Sequence, residues 1–297
     1  MTAAGLIAQP TKTAVRDAPS LRSLCRETAR LAVRCLYEEL TLYPKPGLVS
    51  LVDNGSHEDM DATTFMRSMF ALRHYYAHIC RAGVEDAPFY RLKQLGIEAE
   101  QRMLRSTGGI NTHRGAIFTL GLLCAAVGLA SAQRIRLAPG PLRAVLLTRW
   151  GDELAAHCGA HQGDSNGVRA ARIHGAGGAR EEGALGLPSV FEVGLPALRQ
   201  ALSCGRSLRL ARIDALFALM AHMSDTNVLH RGGAAGARMV REHAQRFRDA
   251  GGTAAPDWRT RALESHRAFV AARLSPGGAA DLLAGCCLVH SVCGTVR

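Results

Sequence analysis

Five short segments of this sequence gather residue types that could handle phosphate and protons. The first is Tyr43-Pro44-Lys45-Pro46-Gly47-Leu48-Val49. Of 36 Lys and Arg residues, only Lys12, Lys45 and Lys93 are lysines. A lysine between two prolines presents a compact point charge from a restricted backbone, which suits a phosphate. Asp53, Asp59 and Asp61 follow, and their hard oxygens suit magnesium, which normally arrives with phosphates. An ordinary turn with helix-capping aspartates is the other reading, and it is the better one for Asp61.

The second segment, Gly108-Gly109-Ile110-Asn111-Thr112-His113-Arg114-Gly115, runs into an apolar helix. A helix start reached through glycines offers free N–H groups and the positive dipole end to an anion. Asn111 or Thr112 could equally be a plain N-cap. The third comprises Asp164-Ser165-Asn166-Gly167 and the run Gly175 to Gly183, which holds Arg180, Glu181 and Glu182. Upstream, Glu153, His157 and His161 fall at i, i+4 and i+8. They read as a solvated helix edge, because no open catalytic zinc signature completes them. The fourth is Ser224-Asp225-Thr226-Asn227-Val228-Leu229-His230-Arg231-Gly232-Gly233, polar residues crowded behind an apolar helix. The fifth, Ser275-Pro276-Gly277-Gly278-Ala279-Ala280-Asp281-Leu282-Leu283-Ala284, is another glycine-rich helix start. Together they aim several anion-binding helix ends and several carboxylates at one place, as a nucleotide polyphosphate with magnesium requires.

The elements that must position them are helices. Ser20 caps a helix with the stripe Leu21, Leu24, Thr28, Leu31 and Cys35, which steps by three and four. Pro44 and Pro46 end it. Asp61 caps the next, with Phe65, Met69, Leu72, Tyr76 and Ile79. A central apolar helix follows Asn111. Residues 206–223 place Ile213, Leu216, Phe217, Met220 and Met223 on one face, and a last helix starts at Ser275-Pro276. The expected fold class is all-α, a single-domain bundle around the central apolar helix over residues 20–297. Residues 1–19 read as a disordered lead-in.

Composition narrows the classes. With 47% hydrophobic residues the chain can bury a full core, and 5% aromatics with short β-branched runs speak against a sandwich or barrel. The net charge of +11 fits nucleic acid, an anionic membrane or a polyanionic substrate. The basic residues are scattered and carry no nucleic-acid motif, so a nucleic-acid partner is not expected. Gly115 to Ala132 is uncharged and reaches the lower length limit for a membrane span. It reads instead as a buried helix, with no second such segment and no membrane partner expected. Nine cysteines without CxxC pairs read as free thiols in a cytoplasmic protein.

The motifs at Pro44–Val49, Asn111–Phe118, Gly178–Arg180, Asp225–Gly233 and Ser275–Ala284 resemble, in order, those of the triphosphoribosyl-dephospho-CoA synthases. The resemblance spans residues 44–284. It departs at Arg114, where members more often carry Lys, at Glu181 and Glu182, where members vary, and at Asn166, where some have His. The resemblance implies that ATP and 3′-dephospho-CoA give a 2′-linked triphosphoribosyl product and adenine. That product is the prosthetic-group precursor for the carrier subunit of malonate decarboxylase or citrate lyase. The glycine-rich run and the length look closer to the malonate decarboxylase branch. A carrier-modifying transferase would take the product onward, and a homodimer is left open.

In this family the new ribosyl bond is α whereas ATP is β, which implies one in-line displacement through an oxocarbenium-like transition state. The resemblance therefore implies roles. Lys45, Arg114 and Arg231 would hold the triphosphate, with Mg2+ on Asp53 or Asp225. Gly47, Asn111, Thr112, Arg180, Asn227, Gly277 and Gly278 would complete the binding surface. Asp59, Asp225 or Glu182 would act as base or charge stabiliser, and His113 or His230 would protonate adenine. The alternative is another all-helical, magnesium-dependent enzyme, of the ADP-ribosyl hydrolase or phosphohydrolase kind. A third class, a nucleotide-binding regulator without turnover, leaves the polar residues beside the anion sites unexplained.

Overall fold

A computed structural model describes residues 20–159 and 178–294; residues 1–19, and with them the expected lead-in, lie outside. The described residues are helical and contain no strand. The first half holds α1 (Leu21–Leu40), α2 (Ala62–Leu72), α3 (Tyr75–Val84), α4 (Phe89–Ser106), α5 (Arg114–Ala132) and α6 (Pro139–Gly159). The second half holds α7 (Gly178–Ala184), a π-helical turn (Ser189–Gly194), α8 (Leu195–Ser203), α9 (Leu208–His222), α10 (Thr226–Asp249), α11 (Trp258–Ala271) and α12 (Gly277–Gly294).

Local chemistry sets the helix starts. The Ser20 hydroxyl accepts the Ser23 N–H at 3.2 Å. Asp61 and Thr64 form a reciprocal capping box, with the Asp61 carboxylate accepting the Thr64 N–H at 2.8 Å. The Ser207 hydroxyl caps α9 by accepting the Leu210 N–H at 3.4 Å. The stripe expected on α1 is displaced: Leu21 is 44% exposed, while Ala29, Ala32 and Leu36 are buried beside Thr28 and Cys35. The small alanines let α1 approach its neighbours closely, which a search for large apolar residues overlooks.

The central apolar helix is α5. It is apolar on every side, and such a helix can only be buried. It packs on α1, α3, α4, α6 and α12. Glycines set the α3–α5 spacing. A Cβ on Gly83 would fall 2.0 Å from the Ala125 carbonyl oxygen, and one on Gly128 would fall 2.0 Å from that of Cys80. The Tyr75 hydroxyl donates to the Ile117 carbonyl at 3.0 Å between them. Contrary to expectation, a second helix, α12, is also long and apolar enough to cross a membrane. It lies against α5, where Gly285 meets Thr119 and Leu123. The apolar windows of α5 and α12 are 78% and 56% buried inside the protein, the pattern of core helices. The starts of α5, α10 and α12 face one region.

Candidate active site

The five polar junctions meet at one cleft of ≈ 1510 Å³. Its wall takes Lys45, His57 and Asp59 from the first junction and Asn111 to Gly115 from the second. Arg180 and Glu182 come from the third, Asn227, His230 and Arg231 from the fourth, and Gly277, Gly278 and Asp281 from the fifth. Single-ligand pockets run to about 300–1,000 Å³, so two nucleotide-sized molecules fit together here.

The floor is built from buried ionisable groups. Lys45 is 1% exposed, and its ammonium donates to the Glu39 carboxylate at 2.5 Å. Glu39 stands in the last turn of α1 and is itself buried. Burial pushes the Lys45 pKa down, and the charge of Glu39 opposes that shift. Next to this pair, His113 packs edge-on against Phe65 with ring centroids 4.9 Å apart. Its Nδ1 lies 2.6 Å from the Ser68 hydroxyl. Burial first, and then the Lys45 charge, lower the His113 pKa to about 3. The imidazole is thus neutral near neutrality. Its Nε2 is buried and has no partner among the described residues, as is Thr112 Oγ1.

Helix ends form one side. Asp225 caps α10 by accepting the Asn227 N–H at 2.8 Å, and its other oxygen accepts the Ala279 N–H at 3.1 Å in the first turn of α12. One carboxylate therefore holds two helix starts together. Gly278 lets it approach: a Cβ there would lie 3.0 Å from Asp225 Oδ2. A Cβ on Gly277 would lie 3.0 Å from the Asn227 amide. Asp281, one turn along α12, reaches the start of α5, where its Oδ2 would meet a Cβ on Gly115 at 2.1 Å.

The rim is tied by charge. The Arg231 guanidinium donates to the Ser56 carbonyl at 3.0 Å and the Arg273 carbonyl at 3.3 Å, and lies 3.0 Å from His57 Nδ1. His57 Nε2 is 2.8 Å from the Ser275 hydroxyl, and Asp59 stands 3.6 Å from its Nδ1. Burial and the Arg231 charge lower the His57 pKa. Arg114 is paired with Glu100 at 2.5 Å, and its N–H is capped by the Asn111 side chain at 3.1 Å. Glu182 accepts from the Ser189 N–H at 3.2 Å and its hydroxyl at 2.5 Å, which fixes the start of the π-helical turn.

Three residues named on the sequence sit off the cleft wall. Asp225 is no part of the cleft wall, because its oxygens are spent on two helix starts. Asp53 also lies off the wall: its Oδ1 accepts the Gly55 N–H at 2.9 Å and sits 3.5 Å from His266. Among the described residues no group of three His, Cys, Asp or Glu could hold a metal ion. Gly47, at φ +70°, seats its loop against Leu274, whose carbonyl oxygen a Cβ would meet at 2.2 Å, and does not line the cleft. On the helix edge that holds Glu153 and His157, Glu153 accepts the Phe89 N–H at 3.0 Å and His157 packs on the Phe89 ring. His161, Asp164 to Gly167 and Gly175 to Gly177 lie outside the described residues. The sequence reading passed over Glu39, Ser68, His57 and Asp281. Asp281 stood inside a quoted segment and His57 between Asp53 and Asp59; Glu39 and Ser68 carry no local signal.

Residues 25–296 match the family model described as ATP:dephospho-CoA triphosphoribosyl transferase. A probable 2-(5''-triphosphoribosyl)-3'-dephosphocoenzyme-A synthase of Acinetobacter calcoaceticus is 40% identical over 85% of this chain and 86% of its own length. A protein of the same printed name from Pseudomonas paraeruginosa is 42% identical over 87% of this chain and 88% of its own. The 2-(5''-triphosphoribosyl)-3'-dephosphocoenzyme-A synthase of Pectobacterium atrosepticum is 40% identical over 83% and 82%. No solved structure matches the chain.

Proposed function

The chain belongs to the ATP:dephospho-CoA triphosphoribosyl transferase family, and we propose that it moves the triphosphoribosyl group of ATP to the 2′-hydroxyl of 3′-dephospho-CoA, releasing adenine. One observation carries this reading: five separated segments, drawn from residues 43–61 to 274–281, converge on a single cleft with room for both substrates. Arg180 and Arg231 on the wall, with the starts of α5 and α12, supply the positive potential that a retained triphosphate needs. Lys45 on the floor is paired with Glu39, which offsets its charge there.

Magnesium enters in this proposal as the counter-ion carried by ATP, since the phosphates themselves supply most of its oxygens. Asp59 and Glu182, on the cleft wall, are the acceptors we assign to the incoming hydroxyl's proton or the developing ring charge. The product would pass, in the cytoplasm, to a transferase acting on the carrier subunit of malonate decarboxylase. The hydrolase alternative drew on the Asp225 cluster, and it loses that support now that Asp225 caps two helices.

Mass spectrometry tests the reading. With magnesium, ATP and dephospho-CoA, the protein should release free adenine and add a triphosphoribosyl mass to dephospho-CoA. Pyrophosphate release without adenine would overturn it.

A further inference from the structure

The sequence offered His113 or His230 as the group that protonates adenine. His113 is unsuited: with a pKa near 3 it holds no spare proton at neutral pH. The geometry points to a different residue. We propose that Asp281 is the proton donor to the departing adenine, in the reaction proposed above.

Asp281 lies one turn into α12 and lines the cleft. Its side chain crosses to the start of α5, pressed against the bare Cα of Gly115 and accepting the Ala116 N–H. Any larger residue at 115 would occupy its place. The groups facing it are mostly acidic or neutral: Glu39 from α1, Asp225 before α10, and the Tyr76 phenol from α3. Lys45, the cation of the floor, is already committed to Glu39. Desolvation first, and then the two neighbouring carboxylates, push the Asp281 pKa well up. A carboxyl in the cleft whose proton is held more tightly by burial and like charges is suited to donate to a leaving group.

The step balances. The bond from ribosyl C1 to the purine nitrogen breaks, and its electron pair goes to the purine. Asp281 gives its proton to a purine ring nitrogen, so adenine leaves neutral. The 2′-oxygen of dephospho-CoA bonds to C1 from the opposite face. Its proton passes to a cleft carboxylate and returns through water to Asp281. The net result moves one proton from hydroxyl to adenine, with no other reagent consumed.

A donor whose leaving group needs no proton separates this role from others. Asp281→Asn and Gly115→Ala should each be assayed with ATP and with the 5-triphosphate of p-nitrophenyl β-ribofuranoside, dephospho-CoA being the acceptor in both. Gly115→Ala displaces the carboxyl without removing it, and so serves if Asp281→Asn folds poorly. Both variants should lose about 10²–10⁴ in kcat with ATP, the usual range for general acid catalysis, with little change in KM. With the nitrophenyl donor both should stay near the wild type. Equal losses on the two donors would overturn the proposal, because Asp281 would then serve the acceptor or the ring charge. Unchanged ATP turnover in both variants would also overturn it. Wild-type protein that releases no adenine would instead refute the reaction itself.

Discussion

The Lys45 ammonium lies 2.5 Å from the Glu39 carboxylate, and the two side chains are 1% and 6% exposed. A pair this deep cannot lose one member cheaply, since the other charge is left in a dry site. Breaking such a pair costs about 3–5 kcal/mol, whereas replacing both members with apolar residues of similar volume is often neutral or stabilising. Lys45→Ala should therefore lose about that much unfolding free energy in denaturant titrations, and Lys45→Met with Glu39→Met should recover most of it. A Lys45→Ala protein as stable as the wild type would show that the pair does not form. Any effect of Lys45→Ala on ATP affinity has to be read after this loss.

His113 makes stability depend on pH. Its folded pKa of about 3 lies below the ordinary 6.5, chiefly through burial. The unfolded chain therefore binds a proton below pH 6.5 that the folded chain refuses. Its contribution is intact above pH 6.5 and is lost as pH falls towards 3. At about 1.4 kcal/mol per pH unit the slope is steep. Unfolding free energies measured between pH 7 and 4 should fall more steeply for the wild type than for His113→Phe. Parallel curves would contradict the buried neutral imidazole.

Asp225 should behave as a cap. Asp225→Ala removes acceptors from both Asn227 and Ala279. Each lost cap costs about 0.5–2 kcal/mol, so the melting temperature should drop clearly. Asp225→Asn keeps one oxygen acceptor and should lose less. An Asp225→Asn protein of unchanged stability but with magnesium-dependent loss of turnover would restore the metal-ligand role.

The helical fold and the meeting of the polar junctions were legible because they rest on local signals. Ser20 and Asp61 cap where their side chains and spacing place them, and glycine-rich helix starts announce themselves. What could not be read was partnership. Asp225 shows a carboxylate in sequence, but not that Ala279, fifty-odd positions on, already occupies one of its oxygens. Glu39 looks like one more acidic residue on α1 until the fold puts Lys45 on it. Asp281 reads as a polar interruption of an apolar helix until Gly115 opens space for it. The face of α1 was misjudged for a related reason: Ala29 and Ala32 are buried by close approach, which depends on the neighbouring helix and not on their own hydrophobicity.

Arg180 should be a wall cation directly available to the triphosphate. Arg114 is held by Glu100, and Arg231 spends its guanidinium on two carbonyls and His57. Among the described residues no carboxylate pairs with Arg180, yet it lines the cleft. A hydrogen bond to a charged group contributes about 1.5–3 kcal/mol, so Arg180→Ala should weaken ATP binding by roughly 10- to 100-fold, since each 1.4 kcal/mol is a factor of ten. Its thermal stability should stay close to the wild type, because the side chain braces no described contact. Arg231→Ala should do the reverse in part: it unties the loops at Ser56 and Arg273, so melting temperature and ATP affinity should fall together. Raising the salt concentration should weaken ATP binding less in Arg180→Ala than in the wild type, as one fewer exposed charge contributes. Calorimetric titration of ATP into the two variants, beside their melting curves, separates these behaviours. If Arg180→Ala binds ATP as the wild type does, the triphosphate lies at the other end of the cleft, over the starts of α5 and α12.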